Sequence, residues 1–335
     1  LVENLFLLLG WLGELIFGSW LLSNGAEHLA ERWGGKFVGR TLLSIATTLP
    51  EIAIVVSATK DGSYGTALGS ALGSNLFMMT FGLAVMLIIA TTKLSKAPQK
   101  FIDVKQFKLD KILLVITAVV GALLFVDGYD VTDGIVFAGF FGAYLYFAFR
   151  EMRQEKKDEA LVSELHTMHE EKMSKKHFGR SMILFIMGTI TIFIGAEPFV
   201  HSLQGVALDS GVSVVVLAVI ISPIAGEMPE KISMIFLARK GANGASIAVA
   251  NVLGSKILNN TLLLAVAIFA AMSYRGFTTK IPNTSLLENQ MILVTVITII
   301  ALIPMFRNKL GLKSGIMLLI LYGIGIGFQF VLPFL

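Results

Sequence analysis

An all-α polytopic membrane protein, with ten transmembrane helices arranged as two inverted five-helix repeats, is the fold that three features of this chain predict. Hydrophobic residues make up 55% of the sequence and charged residues only 15%. Uncharged runs of about twenty residues recur, which is the length needed to cross roughly 30 Å of hydrocarbon. Lys and Arg gather in alternate connections between those runs, and a Pro-Glu pair interrupts two of the apolar segments, at Thr47-Thr48-Leu49-Pro50-Glu51 and Gly226-Glu227-Met228-Pro229-Glu230.

Taken in order, the first expected span is 4–23, which the spans that follow mark as a retained helix rather than a cleaved leader. The second, 37–59, carries the first Pro-Glu pair. A carboxylate in a bilayer is costly and a proline frees backbone carbonyls, so this helix is expected to break and to face a polar site. The third, 66–92, contains Gly69-Ser70-Ala71-Leu72-Gly73-Ser74-Asn75-Leu76, whose small residues suit close helix packing. Spans 110–126 and 131–149 complete the first half, with Asp127, Asp130 and Asp133 forming a solvated turn between them. A charged insert around 150–180, with His166, His169 and His177, reads as a solvated helical linker. Spans 180–203, 212–238, 244–273, 289–306 and 314–333 form the second half, and 212–238 holds the second Pro-Glu pair and is expected to break in the same way. The organisation is therefore a first repeat at 1–150, a linker at 151–178 and a second repeat at 179–335.

Charge sets the topology. With ten spans, 22 of the 27 Lys and Arg fall in the connections of one side, while Lys60, Arg275 and Lys280 face the other and Lys231 and Lys256 lie within spans. The positive-inside rule makes the rich side cytoplasmic, placing the linker in the cytoplasm and both termini outside a plasma (inner) membrane. The net charge of +4 then reflects topology and contact with membrane lipid, the stretch from Lys93 to Lys111 lying near anionic headgroups, and no nucleic-acid partner is expected. Cysteine is absent, which removes disulfides and thiolate metal sites. No H-E-x-x-H motif occurs, and His28 and His201 sit near different span ends, so an intramembrane metalloenzyme is not expected.

An odd number of spans per half means that the second half enters the membrane from the opposite side, the signature of an inverted repeat. Ala250-Asn251-Val252-Leu253-Gly254-Ser255-Lys256-Ile257 answers the third-span motif, with Ser74 lying 23 residues after Glu51 and Ser255 lying 25 after Glu230. The combination of Ser44-Ile45-Ala46-Thr47-Thr48-Leu49-Pro50-Glu51 with Leu72-Gly73-Ser74-Asn75, repeated in altered form, resembles the two alpha-repeats of the calcium/cation antiporter superfamily, which includes sodium/calcium and proton/calcium exchangers. The likeness spans both repeats, the first closely and the second with more divergence.

The resemblance implies that Glu51 and Glu230 are paired central carboxylates holding a transported cation. Ser44, Thr47, Thr48 and Ser74 would lend oxygens from the first half. Ser222, Ala225, Gly226, Ser255 and Asn259 would surround the second carboxylate, several through carbonyls freed near Pro223 and Pro229. Elementary coordination chemistry agrees, because hard cations such as calcium take six to eight oxygens at about 2.3–2.6 Å. The expected activity is antiport of calcium or a related divalent cation against sodium or protons, with no cofactor. A passive divalent-cation channel is the alternative.

Three positions depart from the family pattern. Met78 stands where a polar ligand is common, its counterpart being Asn259. Glu227 stands at the place of Thr48, adding a carboxylate to the metal-binding set, and Lys256 stands at the place of Asn75, adding an ammonium. Glu227 and Lys256 are expected to form an intramembrane pair in which Lys256 acts as a tethered cation. Glu14 and Glu197 occupy related places in spans one and six and would line an access path.

Overall fold

The computed structural model of the chain describes residues 1–32, 44–163 and 175–334. Helices α1 (Val2–Arg32), α2 (Leu49–Lys60), α3 (Tyr64–Phe77), α4 (Leu83–Thr91), α5 (Lys108–Leu124) and α6 (Val131–Ser163) come from the first half. Helices α7 (Lys175–Ser210), α8 (Val214–Arg239), α9 (Ala242–Leu258), α10 (Leu264–Arg275), α11 (Ser285–Phe306) and α12 (Leu312–Gln329) follow. Single π-helical turns, Met78–Gly82 and Asn259–Leu263, join α3 to α4 and α9 to α10 into continuous rods.

Eight helical segments among the described residues are long and apolar enough to cross a membrane. Two of the ten expected spans, 37–59 and 212–238, are not among them, and these are the two that carry the Pro-Glu pairs. The first falls partly outside the described residues. The second contributes the apolar stretch Val214–Met228 among the described residues.

The expected helix break occurs once, not twice. In the first half Thr48 is a turn residue and α2 starts at Leu49, with Pro50 in its first turn, where a missing N–H costs nothing. In the second half α8 runs unbroken through Pro223 and Pro229, which corrects the expectation. Packing supplies the reason. Pro223 cannot donate to the carbonyl of Val219, and that carbonyl lies against Gly73 of α3, where a Cβ would collide with it. Gly65 and Gly69 meet Val215 and Ala218 on the same seam, so a glycine at every fourth position lets the two backbones approach closely.

The first helices of the two halves, α1 and α7, are joined by the same device. Gly25 fits against backbone atoms of Ser181 and Phe185, and Gly188 against those of Gly18 and Leu22. The connections also sort into two groups. Those rich in Lys and Arg touch one another: Ser95 Oγ donates to the Ala238 carbonyl at 3.2 Å, Gln106 to Ser246 at 2.8 Å, and β1 (Ile102–Asp103) pairs antiparallel with β2 (Lys309–Leu310). Those poor in Lys and Arg do likewise, through the bridge Tyr129–Ile281 and the contact of Arg275 with the Lys60 carbonyl. The short β1–β2 ladder is the departure from a purely helical fold.

Lys111 departs from the headgroup role expected of its basic stretch. It is buried, and its ammonium donates to the carbonyls of Val104 and Met305, both at 3.0 Å, and to Asn308 Oδ1 at 2.8 Å, tying the end of α11 to α5. Of the aspartates expected in a solvated turn between α5 and α6, Asp127 is exposed, whereas Asp133 is buried and accepts from the N–H of Asp130 at 2.9 Å. Asp130 accepts from the N–H of Thr132 at 2.8 Å, which holds its carboxyl below the usual range, and Lys280 lies 3.4 Å away. His166 and His169 of the linker lie outside the described residues.

The α3–α8 seam yields a direct test. Gly73→Ala drives a methyl group into the Val219 carbonyl and is expected to destabilise the protein by about 1–3 kcal/mol, the usual penalty of overpacking. Thermal melting in detergent should show a clear drop for it and little change for Gly139→Ala, where the added methyl meets nothing within 4 Å.

Candidate cation site

The break at Thr48 and the α3–α8 seam bring the two Pro-Glu motifs to one buried cluster. Ser44, Thr47, Thr48 and Glu51 come from the segment entering α2, and Ser74 comes from α3. Ser222, Ala225, Gly226, Glu227 and Glu230 come from α8, and Ser255, Lys256 and Asn259 from α9 and the turn after it. Every one of these residues is buried.

Glu51 packs its carboxylate against Gly226 so closely that a Cβ there would overlap it. Glycine at 226 is therefore a requirement of the site, since any side chain would displace the acid. Ser74 Oγ lies 2.6 Å from Glu227 Oε1 and 3.4 Å from Glu51 Oε1. One hydroxyl hydrogen cannot serve both, and the shorter contact takes it. Glu51 is left with one long contact, and its Oε2 has no partner. Glu230 is better held, with Asn251 Nδ2 at 2.9 Å from Oε1 and Ser255 Oγ at 3.4 Å from Oε2. Asn251 in turn accepts from Ser44 Oγ at 3.2 Å, so the first-half serine and the second-half acid share one amide.

Thr47 and Thr48 both donate to the carbonyl of Ser44, at 3.1 and 2.8 Å. That use consumes their hydrogens and leaves their lone pairs, the part a cation needs. Proline chemistry frees the carbonyl of Ala225, which lies four residues before Pro229 in α8 and loses its helical donor. Ser222 Oγ and Glu227 Oε2 are buried without a hydrogen-bond partner. Buried polar atoms are seldom left unpaired, and a concentration of orphan oxygens around two acids is the donor set of a hard cation.

Asn259 is placed differently from the expectation. It forms no hydrogen bond with either carboxylate, and it lines, with Asn75, Asn260, Thr117 and Thr298, a cavity with room for about one water. Asn75 Nδ2 donates to Asn260 Oδ1 across the halves. Met78 is fully buried at the start of its π turn and offers no hard oxygen.

Lys256 Nζ forms an ion pair with Glu227 Oε1, and both side chains are at most 1% exposed. Its other contact is the Ser74 carbonyl at 3.4 Å. A second ammonium, Lys231, donates to the Pro223 carbonyl at 3.1 Å and stands 3.7 Å above the centre of the Phe77 ring, a cation–π contact. Lys231 and Asn251 are the functional neighbours that sequence reasoning passed over. Asn251 had a signal, since it precedes Ser255 by four residues and so shares its helix face. Glu14 and Glu197 lie apart. Glu14 rests against Gly195 of α7, whereas Glu197 pairs with Lys60 at 2.9 Å beside the bond between Asp61 and His201.

The model of the family described as sodium/calcium exchanger protein matches residues 4–150 and 180–331 of this chain. A membrane protein of Methanocaldococcus jannaschii is 26% identical over 320 residues, covering 93% of both chains. The sodium/calcium exchanger MaX1 of Methanosarcina acetivorans is 23% identical over 299 residues, covering 79% of this chain and 82% of MaX1. Among solved structures, the H+/Ca2+ exchanger CAX superposes with a TM-score of 0.77 at 18% identity, covering 99% of this chain and 87% of CAX. The sodium-calcium exchanger NCX_Mj superposes with a TM-score of 0.63 at 24% identity, covering 97% and 98%. At these identities the structural likeness establishes the fold.

The contact between Gly226 and Glu51 predicts a graded defect. Gly226→Ala should lower divalent-cation affinity by about 10- to 100-fold, the usual cost of disturbing a group that orients a ligand. Calorimetric titration of the purified protein with calcium checks it, and wild-type affinity in the variant would show that the glycine does not position the acid.

Proposed function

This chain belongs to the sodium/calcium exchanger protein family, an integral-membrane family of transporters rather than enzymes, and we propose that it is a secondary active antiporter exporting calcium or a related divalent cation in exchange for sodium or protons. The observation that carries the reading is the meeting of two acids from separate halves. Glu51 and Glu230 are buried in one cluster, where Asn251 joins Glu230 to Ser44 of the first half and Ser74 joins Glu51 to Glu227 of the second, and Glu51 retains an unpartnered oxygen. In this reading Glu51 and Glu230 hold the divalent ion, with oxygens from Ser44, Thr47, Thr48, Ser74, Ser222 and Ser255 and the carbonyls of Ala225 and Gly226. Asn259 contributes through the small cavity beside it.

We read the architecture as ten spans in two inverted repeats, 1–150 and 179–335, joined by the linker 151–178. Support comes from the duplicated Pro-Glu motifs and from the π turns that start four residues after Ser74 and Ser255. The grouping of connections by charge supports a cytoplasmic linker and outward termini in the plasma (inner) membrane. Alternating access follows, with the glycine-packed pair α1 and α7 moving against the remaining helices to open the site to one side at a time.

Reconstitution into proteoliposomes tests the reading. Wild-type protein is expected to accumulate calcium when a sodium or pH gradient of the right sign is imposed, and the effective gradient identifies the counter-ion. Glu51→Gln and Glu230→Gln should each reduce uptake to the level of empty vesicles, whereas full uptake in both would remove the site. Calcium flux that needs no counter-transported ion would make the protein a channel.

A further inference from the structure

The second half of the site carries a charge pair that the first half lacks. At the places of Glu227 and Lys256 the first half has Thr48 and Asn75, both neutral. An added acid alone would demand another mobile cation, and an added ammonium alone would repel the cargo. They occur together, and they meet: Lys256 Nζ lies on Glu227 Oε1, with the Ser74 carbonyl at 3.4 Å. The same Glu227 oxygen accepts from Ser74 Oγ, whose hydroxyl is also 3.4 Å from Glu51. The ammonium thus has a carboxylate oxygen and a backbone carbonyl as neighbours, one residue away from the transport carboxylate. Such oxygens are the donors that a small alkali cation would use.

Lys231 does not compete for this role. Its ammonium is held by a carbonyl of its own helix and by the Phe77 ring, and among the described residues it forms no ion pair within 4 Å.

We propose that the Lys256 ammonium is a resident cation, occupying beside the transport site a position that would otherwise take a mobile monovalent ion, and that it lowers by one the number of cations exchanged per cycle. The proposal rests on the antiporter reading above. Because the lysine is tethered, its ammonium cannot leave with the cargo.

The test uses the full chain in proteoliposomes, with the charge moved per calcium ion taken from the reversal potential. Lys256→Asn, which installs the residue of the first half, is expected to leave Glu227 in need of a mobile ion and to change the charge per calcium by one. An unchanged charge per calcium overturns the proposal. Should the variant fail to transport, melting in detergent decides. Lys256→Asn should gain a sodium-dependent rise in melting temperature that the wild type lacks and that Glu227→Gln/Lys256→Asn loses. No sodium-dependent rise in the single variant counts against a cation position there. Loss of uptake in Glu51→Gln together with wild-type behaviour of Lys256→Asn overturns this inference alone, whereas full uptake in Glu51→Gln and Glu230→Gln overturns the site on which it rests.

Discussion

The approach of α3 to α8 at Gly73 is the constraint from which the rest of the site follows. Without a Cβ on Gly73, the α3 backbone comes within contact of the Val219 carbonyl, which Pro223 has deprived of its helical donor. One residue later Ser74 reaches Glu227 and Glu51 together. A wider seam would carry that hydroxyl away from both acids. Glycine and proline therefore act as a pair on opposite helices: the proline frees a carbonyl and the glycine makes room beside it. The cost of an unpaired carbonyl in a dry environment is kept down by the close backbone packing around it.

Much of this was legible in the sequence, for reasons that can be stated. Long apolar runs, the duplicated Pro-Glu pair and the spacing to Ser74 and Ser255 are one-dimensional signals, and each leads to residues that the fold buries together. What failed depends on neighbours. Whether a proline breaks a helix depends on what its orphaned carbonyl meets, and in α8 the Val219 carbonyl freed by Pro223 packs against Gly73, whereas the first motif starts its helix at Leu49 with the proline in the first turn. Lys111 was read as a surface charge because nothing in its local sequence announces the carbonyls of Val104 and Met305, the latter 194 residues away. The π turns at Met78 and Asn259 have no recognised sequence mark, though their matched positions are visible once the halves are aligned.

The two halves contribute unequal chemistry to a site of matched topology. Glu230 has an amide and a hydroxyl as donors, while Glu51 has one long hydroxyl contact and a free oxygen. The second half thus supplies the acid with more side-chain donors around it. Both extra ammonium groups, on Lys231 and Lys256, also come from the second half, where the first has Ile52 and Asn75. The extra charges of the site thus all lie on the second-half helices α8 and α9.

In the antiporter reading proposed above, the incomplete satisfaction of Glu51 is what would let it take up and release a cation. A buried carboxylate whose lone pairs are all met by protein donors gains little from a cation, and it would need to break those bonds to bind one. A carboxylate with no partner at all would be too costly to keep ionised in the bilayer. Glu51 stands between these limits: Ser74 is close enough to orient it, yet Glu227 takes the shorter bond and so holds the serine back from full donation. The Lys256–Glu227 pair thereby controls how much of Ser74 is available to Glu51. Breaking such a buried pair costs about 3–5 kcal/mol, enough to keep that division of donors constant as the carrier changes state. In that reading, the ion pair would adjust the cation affinity of the neighbouring acid through one shared hydroxyl, that of Ser74.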